Sequence, residues 1–200
     1  HQGAQQVGHL QHAALAPGGL PGAVGAATSQ CAGATAPAWR VRVADVVIGF
    51  TDLIQGPFQQ RLARDVGPFV IKRVEGYFAY QLAVVVDDAA QGIGEIVRGA
   101  DLLDATPRQI WLQRLLGYAT PGYAHLPLAL DASGRKLSKQ ERACAVDRRD
   151  PLPALRAALA FLGMDPARGG DGSVTRMLRR AIEDFDLTRI PRTGAAAVGS

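Results

Sequence analysis

Cysteine is nearly missing from this 200-residue chain: Cys31 and Cys144 are its only two, and they stand 113 positions apart with no CxxC pair. That spacing excludes a disulfide framework and a four-thiolate zinc site. Aromatic residues are sparse at 6%. No apolar run approaches the roughly 18 residues that a bilayer-spanning helix needs. No basic stretch precedes an apolar run near the start, so no secretory leader is predicted and a reducing, cytoplasmic setting is expected. Charge is missing from one whole segment: all 22 basic and 18 acidic residues lie at Arg40 or later. At the chain-wide rate about eight would fall before that point. The net charge of +4 is compatible with a polyanionic partner without demanding one.

Residues 1–38 therefore read as an uncharged, Gly/Ala-rich leader, disordered or unrelated to the rest of the chain. The segment has few large apolar groups to bury, and turn clusters such as Pro17-Gly18-Gly19 raise the entropy lost on ordering. Gly18 to Gly25 could cradle a phosphate, but neither GxGxxG nor GxxxxGK[ST] is present. His9 and His12 share i,i+3 spacing without an acidic or thiol neighbour. A linker is the better reading of both features.

From Trp39 the pattern becomes that of a folded domain. Trp39 to Val43 alternates with period two, and Val46 to Phe50 and Phe69 to Lys72 are short apolar runs. All three predict strands, as does Gly94 to Arg98, and Glu75-Gly76 predicts a turn. Tyr80 to Ala90 is ambiguous, because its valines favour a strand and its length a helix. Thr106-Pro107 predicts a helix start with Thr106 as N-cap, stopped by Gly117. Pro151 to Leu162 and the segment capped by Ser173 predict two more helices. In the second, Val174, Met177, Leu178, Ala181, Ile182 and Phe185 form one apolar stripe expected in the core. Arg179–Glu183 and Arg180–Asp184 are expected to pair on its other side. Strands mixed with helices, then helices alone, indicate an α/β fold class followed by a small helical segment.

Chemistry is best supported at Ser133 to Gln140, where a glycine, Arg135, Lys136, Ser138 and Lys139 coincide. An ammonium on a mobile loop can neutralise charge that develops as pyrophosphate departs, and each 1.4 kcal/mol supplied there is about tenfold in rate. A solvated basic loop is the plain alternative. Arg98, just after a buried strand, offers a planar fork to a carboxylate, and Tyr80 could add a hydroxyl; a surface ion pair and a core aromatic are the bland readings. Asp87-Asp88 suits a helix end better than acid–base work. Gly92-Ile93-Gly94 is only half of a dinucleotide fingerprint.

Five blocks then arrive in order: Phe78 to Asp88, Glu95 to Leu103, Thr106-Pro107-Arg108-Gln109-Ile110, His125-Leu126-Pro127, and Lys136-Leu137-Ser138-Lys139-Gln140. Together they resemble the class I glutamyl-tRNA synthetase family, and within it the short glutamyl-Q tRNA(Asp) synthetase branch, from about Trp39 to Ile190. The resemblance implies the C-terminal half of a Rossmann-type catalytic domain over residues 39–145 and a helical stem-contact appendage over 146–200. It implies ATP-dependent activation of glutamate and transfer of the glutamyl group to the queuosine base of tRNA(Asp). It resolves Tyr80 to Ala90 as a helix. By position, Tyr80 and Arg98 would bind glutamate. Lys136, Ser138 and Lys139 would form the family's KMSKS-type catalytic signature, with Lys139 on ATP.

Mg would accompany ATP, and the protein would act as a cytoplasmic monomer with no membrane partner. The family's HIGH-type signature and its zinc cysteines have no match in His1 to Ala38 apart from Cys31, so no bound zinc is expected. Sixty residues follow Gln140, too few for an anticodon-reading domain. That favours the short branch over a truncated glutamyl-tRNA synthetase. A catalytically inactive synthetase fragment is the remaining alternative.

Overall fold

The computed structural model describes residues 38–131, 133–137, 146–169 and 173–197, together with the backbone of 24–27. The chain forms two units. The first holds the described residues up to Thr51, Pro57–Ile96 and Asp104–Gly122. The second holds Asp52–Gly56, Val97–Leu103 and the described residues from Tyr123 onward. The second unit thus draws on segments from both sides of residue 145.

In the first unit, strands β1 (Val24–Ala27), β2 (Ala38–Val41) and β5 (Phe69–Lys72) make a sheet in the order β1-β2-β5. Both pairings are antiparallel, with Val24 opposite Val41 and Val41 opposite Phe69. β1 lies inside the stretch read as a leader; the other residues before Ala38 are outside the described ones. β2 ends sooner than its alternation predicts, since Arg42 and Val43 are not strand. Strand β3 (Val47–Asp52) turns through Leu53-Ile54-Gln55 into β4 (Gly56–Arg61), a hairpin that the sequence pattern does not predict. A one-turn helix α1 (Leu62–Asp65) follows.

The ambiguous segment is helix α2 (Tyr80–Ala90), with Leu82, Val85 and Val86 buried. The three consecutive valines are tolerated because tertiary burial outweighs their modest helix penalty. α2 packs on β5 and on α3 (Thr106–Leu116). Gln109 Nε2 on α3 donates to Gln81 Oε1 on α2 at 2.7 Å, and Trp111 Nε1 donates to the Arg42 carbonyl at 3.4 Å. Thr106 is not the N-cap. A 3-10 turn over Ala100–Ala105 runs straight into α3, Ala105 takes the cap position, and Thr106 is fully buried as the first helical residue. Gly117 does stop the helix, in the left-handed conformation at φ +71°.

Strand β7 (Gly122–Leu126) pairs with β6 (Glu95–Gly99), and most of both strands belongs to the second unit. β8 (Leu128–Leu130) pairs in parallel with β9 (Ala195–Ala197). Ile54, Ala124 and Ile190 form one buried cluster. Helices α4 (Leu152–Phe161) and α5 (Val174–Glu183) contribute a second, of Leu159, Met164 and Met177, and Leu162 packs against both clusters. Ser173 caps α5 by accepting from Arg176 N at 3.5 Å.

The α5 stripe splits. Met177 is buried and Val174 and Ala181 half-buried, but Ile182 is 77% exposed and Leu178 and Phe185 are also exposed. The stripe is wider than the strip that α4 and the Pro166–Gly169 turn can cover. Arg180 reaches both acids, Glu183 at 3.1 Å and Asp184 at 3.3 Å, in place of the expected Arg179–Glu183 pair.

Candidate active site

A hairpin tip must satisfy its own backbone, and here one aspartate does most of that work. Asp52 ends β3 with its side chain buried. Its Oδ1 accepts from Ile54 N at 3.0 Å and Gln55 N at 2.9 Å, closing the turn. The same oxygen accepts from His125 N at 3.0 Å, so the tip is tied to β7. Leu53 N donates to the Tyr123 carbonyl at 2.8 Å, and Gln55 Nε2 donates to the His125 carbonyl at 2.8 Å.

His125 is fully buried, and its two ring nitrogens face opposite ways. Nδ1 lies 2.5 Å from Asp52 Oδ2, and Nε2 accepts from Arg98 Nε at 3.0 Å. An arginine Nε–H can only donate, so Nε2 carries the lone pair and Nδ1 the proton. Burial pushes the imidazole below its ordinary 6.5 and the Arg98 cation adds to this, while the Asp52 carboxylate pulls the other way. The ring is neutral, and its contact with Asp52 is a charge-assisted hydrogen bond rather than an ion pair. Burial also works to raise the Asp52 carboxyl, but the bonds from Gln55, His125 and Ile54 outweigh it and hold Asp52 below its ordinary 3.8. The Arg98 guanidinium carbon sits 5.3 Å from the centroid of the Tyr123 ring, which stacks at 6.1 Å beside His125.

The cationic loop begins in the same unit. Asp131 Oδ1 accepts from Ser133 Oγ at 2.6 Å and from the backbone N of Ser133 and Arg135, each at 2.9 Å. Arg135 Nε reaches its other oxygen at 3.3 Å. These bonds, that from the Ser133 hydroxyl foremost, draw the carboxyl down to about 2. Gly134 completes the turn at φ +79°, and Lys136 bridges back to Leu130. Lys136 Nζ then pairs with Asp101 Oδ2 at 2.6 Å, three residues past Arg98. Gly99 makes room for that acid, because a Cβ there would stand 2.6 Å from Asp101 Oδ1 and 3.3 Å from Leu128 Cδ2.

Of the residues singled out in the sequence, Arg98 and Lys136 therefore share the second unit, Arg98 bonded to His125 and Lys136 paired with Asp101. Tyr80 belongs to the first unit, where it is the exposed first residue of α2. Ser138 and Lys139 lie outside the described residues, as do Cys31, Cys144, His9 and His12. Asp87 and Asp88 sit in the last turn of α2 and Gly92 closes it at φ +68°, the structural role expected of them. Among the described residues no three His, Cys, Asp or Glu side chains stand together as metal ligands. Sequence reasoning missed Asp52 and His125. A lone buried acid ending one strand and a histidine inside another were the available signals, and nothing in their spacing linked them.

The described residues thus form two α/β units, and Arg98 and the start of the cationic loop lie in the same one. A family model described as tRNA synthetases class I (E and Q), catalytic domain, matches residues 35–189, and the chain belongs to that family. It is 48% identical over 191 residues to the glutamyl-Q tRNA(Asp) synthetase of Xanthomonas campestris pv. campestris (strain 8004), covering 94% of this chain and 59% of that protein. The protein of the same name from Burkholderia cenocepacia (strain ATCC BAA-245) is 58% identical over 145 residues, 71% of this chain and 48% of that one. The chain thus spans about half the length of these relatives. In fold it is similar to a glutamate tRNA ligase from Elizabethkingia meningosepticum solved with its amino acid, at a TM-score of 0.63 and 24% identity over 82% of this chain and 36% of that one. Among the described residues no helix is long and apolar enough to cross a membrane.

Proposed function

We propose that the protein carrying this chain activates glutamate with ATP and transfers it to the queuosine base of tRNA(Asp) in the cytoplasm, as a monomer. The observation that carries this reading is the placement of Arg98 and Lys136 in one unit, with Lys136 paired to Asp101 three residues past Arg98, in a chain about half identical to relatives named for that activity. In the first step the glutamate α-carboxylate attacks the α-phosphorus of ATP, the bond to the β-phosphate breaks, and pyrophosphate leaves. The nucleophile is already ionised, so no general base is needed, and positioning and charge neutralisation carry the step. In the second step the modified base attacks the acyl carbon and AMP departs.

Arg98 takes a carboxylate of glutamate on its Nη side, since Nε is committed to His125. Tyr80 adds a hydroxyl to the same substrate. Lys136, Ser138 and Lys139 form the catalytic loop, with Lys139 on the ATP phosphates and Asp101 as the partner Lys136 keeps before nucleotide arrives. Mg enters on ATP and keeps most of its water, so it needs no protein cage of its own. Residues 39–145 supply the catalytic portion and 146–200 the helical contact with the tRNA stem.

The test is glutamate-dependent exchange of label between pyrophosphate and ATP. We expect exchange that falls about a hundredfold in Lys139→Ala, the scale set by removing one transition-state charge contact. The partial coverage of the relatives favours one second reading, an inactive fragment. That reading gives no exchange and only a salt-sensitive association with tRNA.

A further inference from the structure

We propose that Asp52 and His125 are positioning residues that fix the orientation of the Arg98 guanidinium by locking His125 in its neutral Nδ1–H tautomer. As a device for substrate binding this rests on the reading of Arg98 as the glutamate fork.

Three observations converge on it. Asp52 is itself immobilised by three backbone donors, from Ile54, Gln55 and His125, so its second oxygen faces Nδ1 from a fixed place. An acceptor so placed demands a proton on Nδ1 and leaves Nε2 as a lone pair. That lone pair takes the Arg98 Nε–H at 3.0 Å while the Tyr123 ring backs the guanidinium. A guanidinium held at one edge and over one face has little rotational freedom left. Its fork then meets a carboxylate without the entropy loss that a surface arginine suffers on binding. The fold has a simpler way to satisfy a hairpin tip, since Asp52 already closes the turn with one oxygen; the second oxygen and the imidazole serve Arg98. Among the described residues, the charged groups that act on the ring are Asp52 on β3, Arg98 on β6 and Asp101 in the turn after it.

The experiment uses the whole chain with isotope-labelled arginine and histidine, read by nitrogen–proton spectroscopy and by calorimetric titration with glutamate. Between about pH 6 and 8, His125 is expected with Nδ1 protonated and Nε2 bare, and the Arg98 Nε–H as a sharp, slowly exchanging signal. His125→Phe removes the acceptor: the Arg98 signal should broaden into solvent exchange and glutamate affinity fall about tenfold or more. His125→Gln places an amide oxygen near the Nε2 position and should restore both. Asp52→Asn keeps the size of the side chain, so it covers the case in which His125→Phe does not fold. It should let an Nε2–H population appear and blur the Arg98 signal. A protonated imidazole, an Nε2–H tautomer in the unaltered chain, or an Arg98 signal indifferent to both His125→Phe and Asp52→Asn would overturn the relay. If the tautomer and the Arg98 signal behave as expected but Arg98→Lys leaves glutamate affinity unchanged, the relay is supported and the glutamate reading of Arg98 falls.

Discussion

Asp52 and Asp131 do the same job in opposite surroundings. Each carboxylate accepts four hydrogen bonds, and each titrates below the ordinary value of 3.8. Asp131 gathers donors no more than four residues away, at the exposed start of the cationic loop. Asp52 is buried and reaches 73 residues along the chain to His125. The first arrangement shapes a turn that water could also solvate. The second joins distant strands, and removing it strands donors that water cannot reach. Equal bond counts thus conceal unequal structural weight, and burial decides which aspartate the fold depends on.

The largest effect expected from this contrast is at the buried end. Asp52→Ala should cost about 4 kcal/mol, because it orphans three backbone N–H groups and the partner imidazole together. Urea denaturation of the variant beside the unaltered chain gives the figure, and a loss under about 1 kcal/mol would break the comparison.

Acid comes next. His125 has a folded-state pKa below 6.5, so the unfolded chain takes up that proton first. Stability is then fully present above 6.5 and declines as the pH falls towards the folded value. Asp52 adds a second loss, starting as the pH passes below 3.8 and continuing through its own lowered value. Melting temperatures measured downward from neutral pH should therefore fall in two stages, and Asp52→Asn should shrink the lower one, leaving the share that Asp131 contributes in the same range.

A smaller effect sharpens the boundary between the two regions. Gly99→Ala would drive a methyl against Asp101 Oδ1 and displace the acid from Lys136. Lys136 should then label faster with an amine-reactive reagent, while stability changes by less than about 1 kcal/mol, as for an exposed ion pair. Asp131→Ala should alter the urea midpoint least of all, with its consequence confined to the loop and visible as faster proteolysis near Arg135.

Local patterns made much of the fold legible and left the centre of the site obscure. Phe69–Lys72 and the Gly117 stop of α3 were readable because the signal and the structure occupy the same few residues. The resemblance across five blocks turned three valines into a helix. Gly56 to Arg61 concealed a strand, since a glycine, a proline and two glutamines carry no alternation of apolar side chains. Thr106 looked like a cap because the 3-10 turn before it leaves no mark in the sequence. The exposed part of the α5 stripe could not be foreseen, because periodicity identifies an apolar face without saying how much neighbouring surface exists to cover it. Asp52 and His125 escaped for the plainest reason: their relation exists only once the hairpin tip lies along β7.

The parallel pairing of β8 with β9 has a practical consequence. Ala195–Ala197 runs beside Leu128–Leu130, the strand that leads into Asp131 and the loop bearing Lys136. Anything fused after β9 is tethered within a few residues of that loop, so an affinity handle there would crowd it. A small fluorophore attached at the same place would instead report, by its emission, on changes around Asp131 and Lys136.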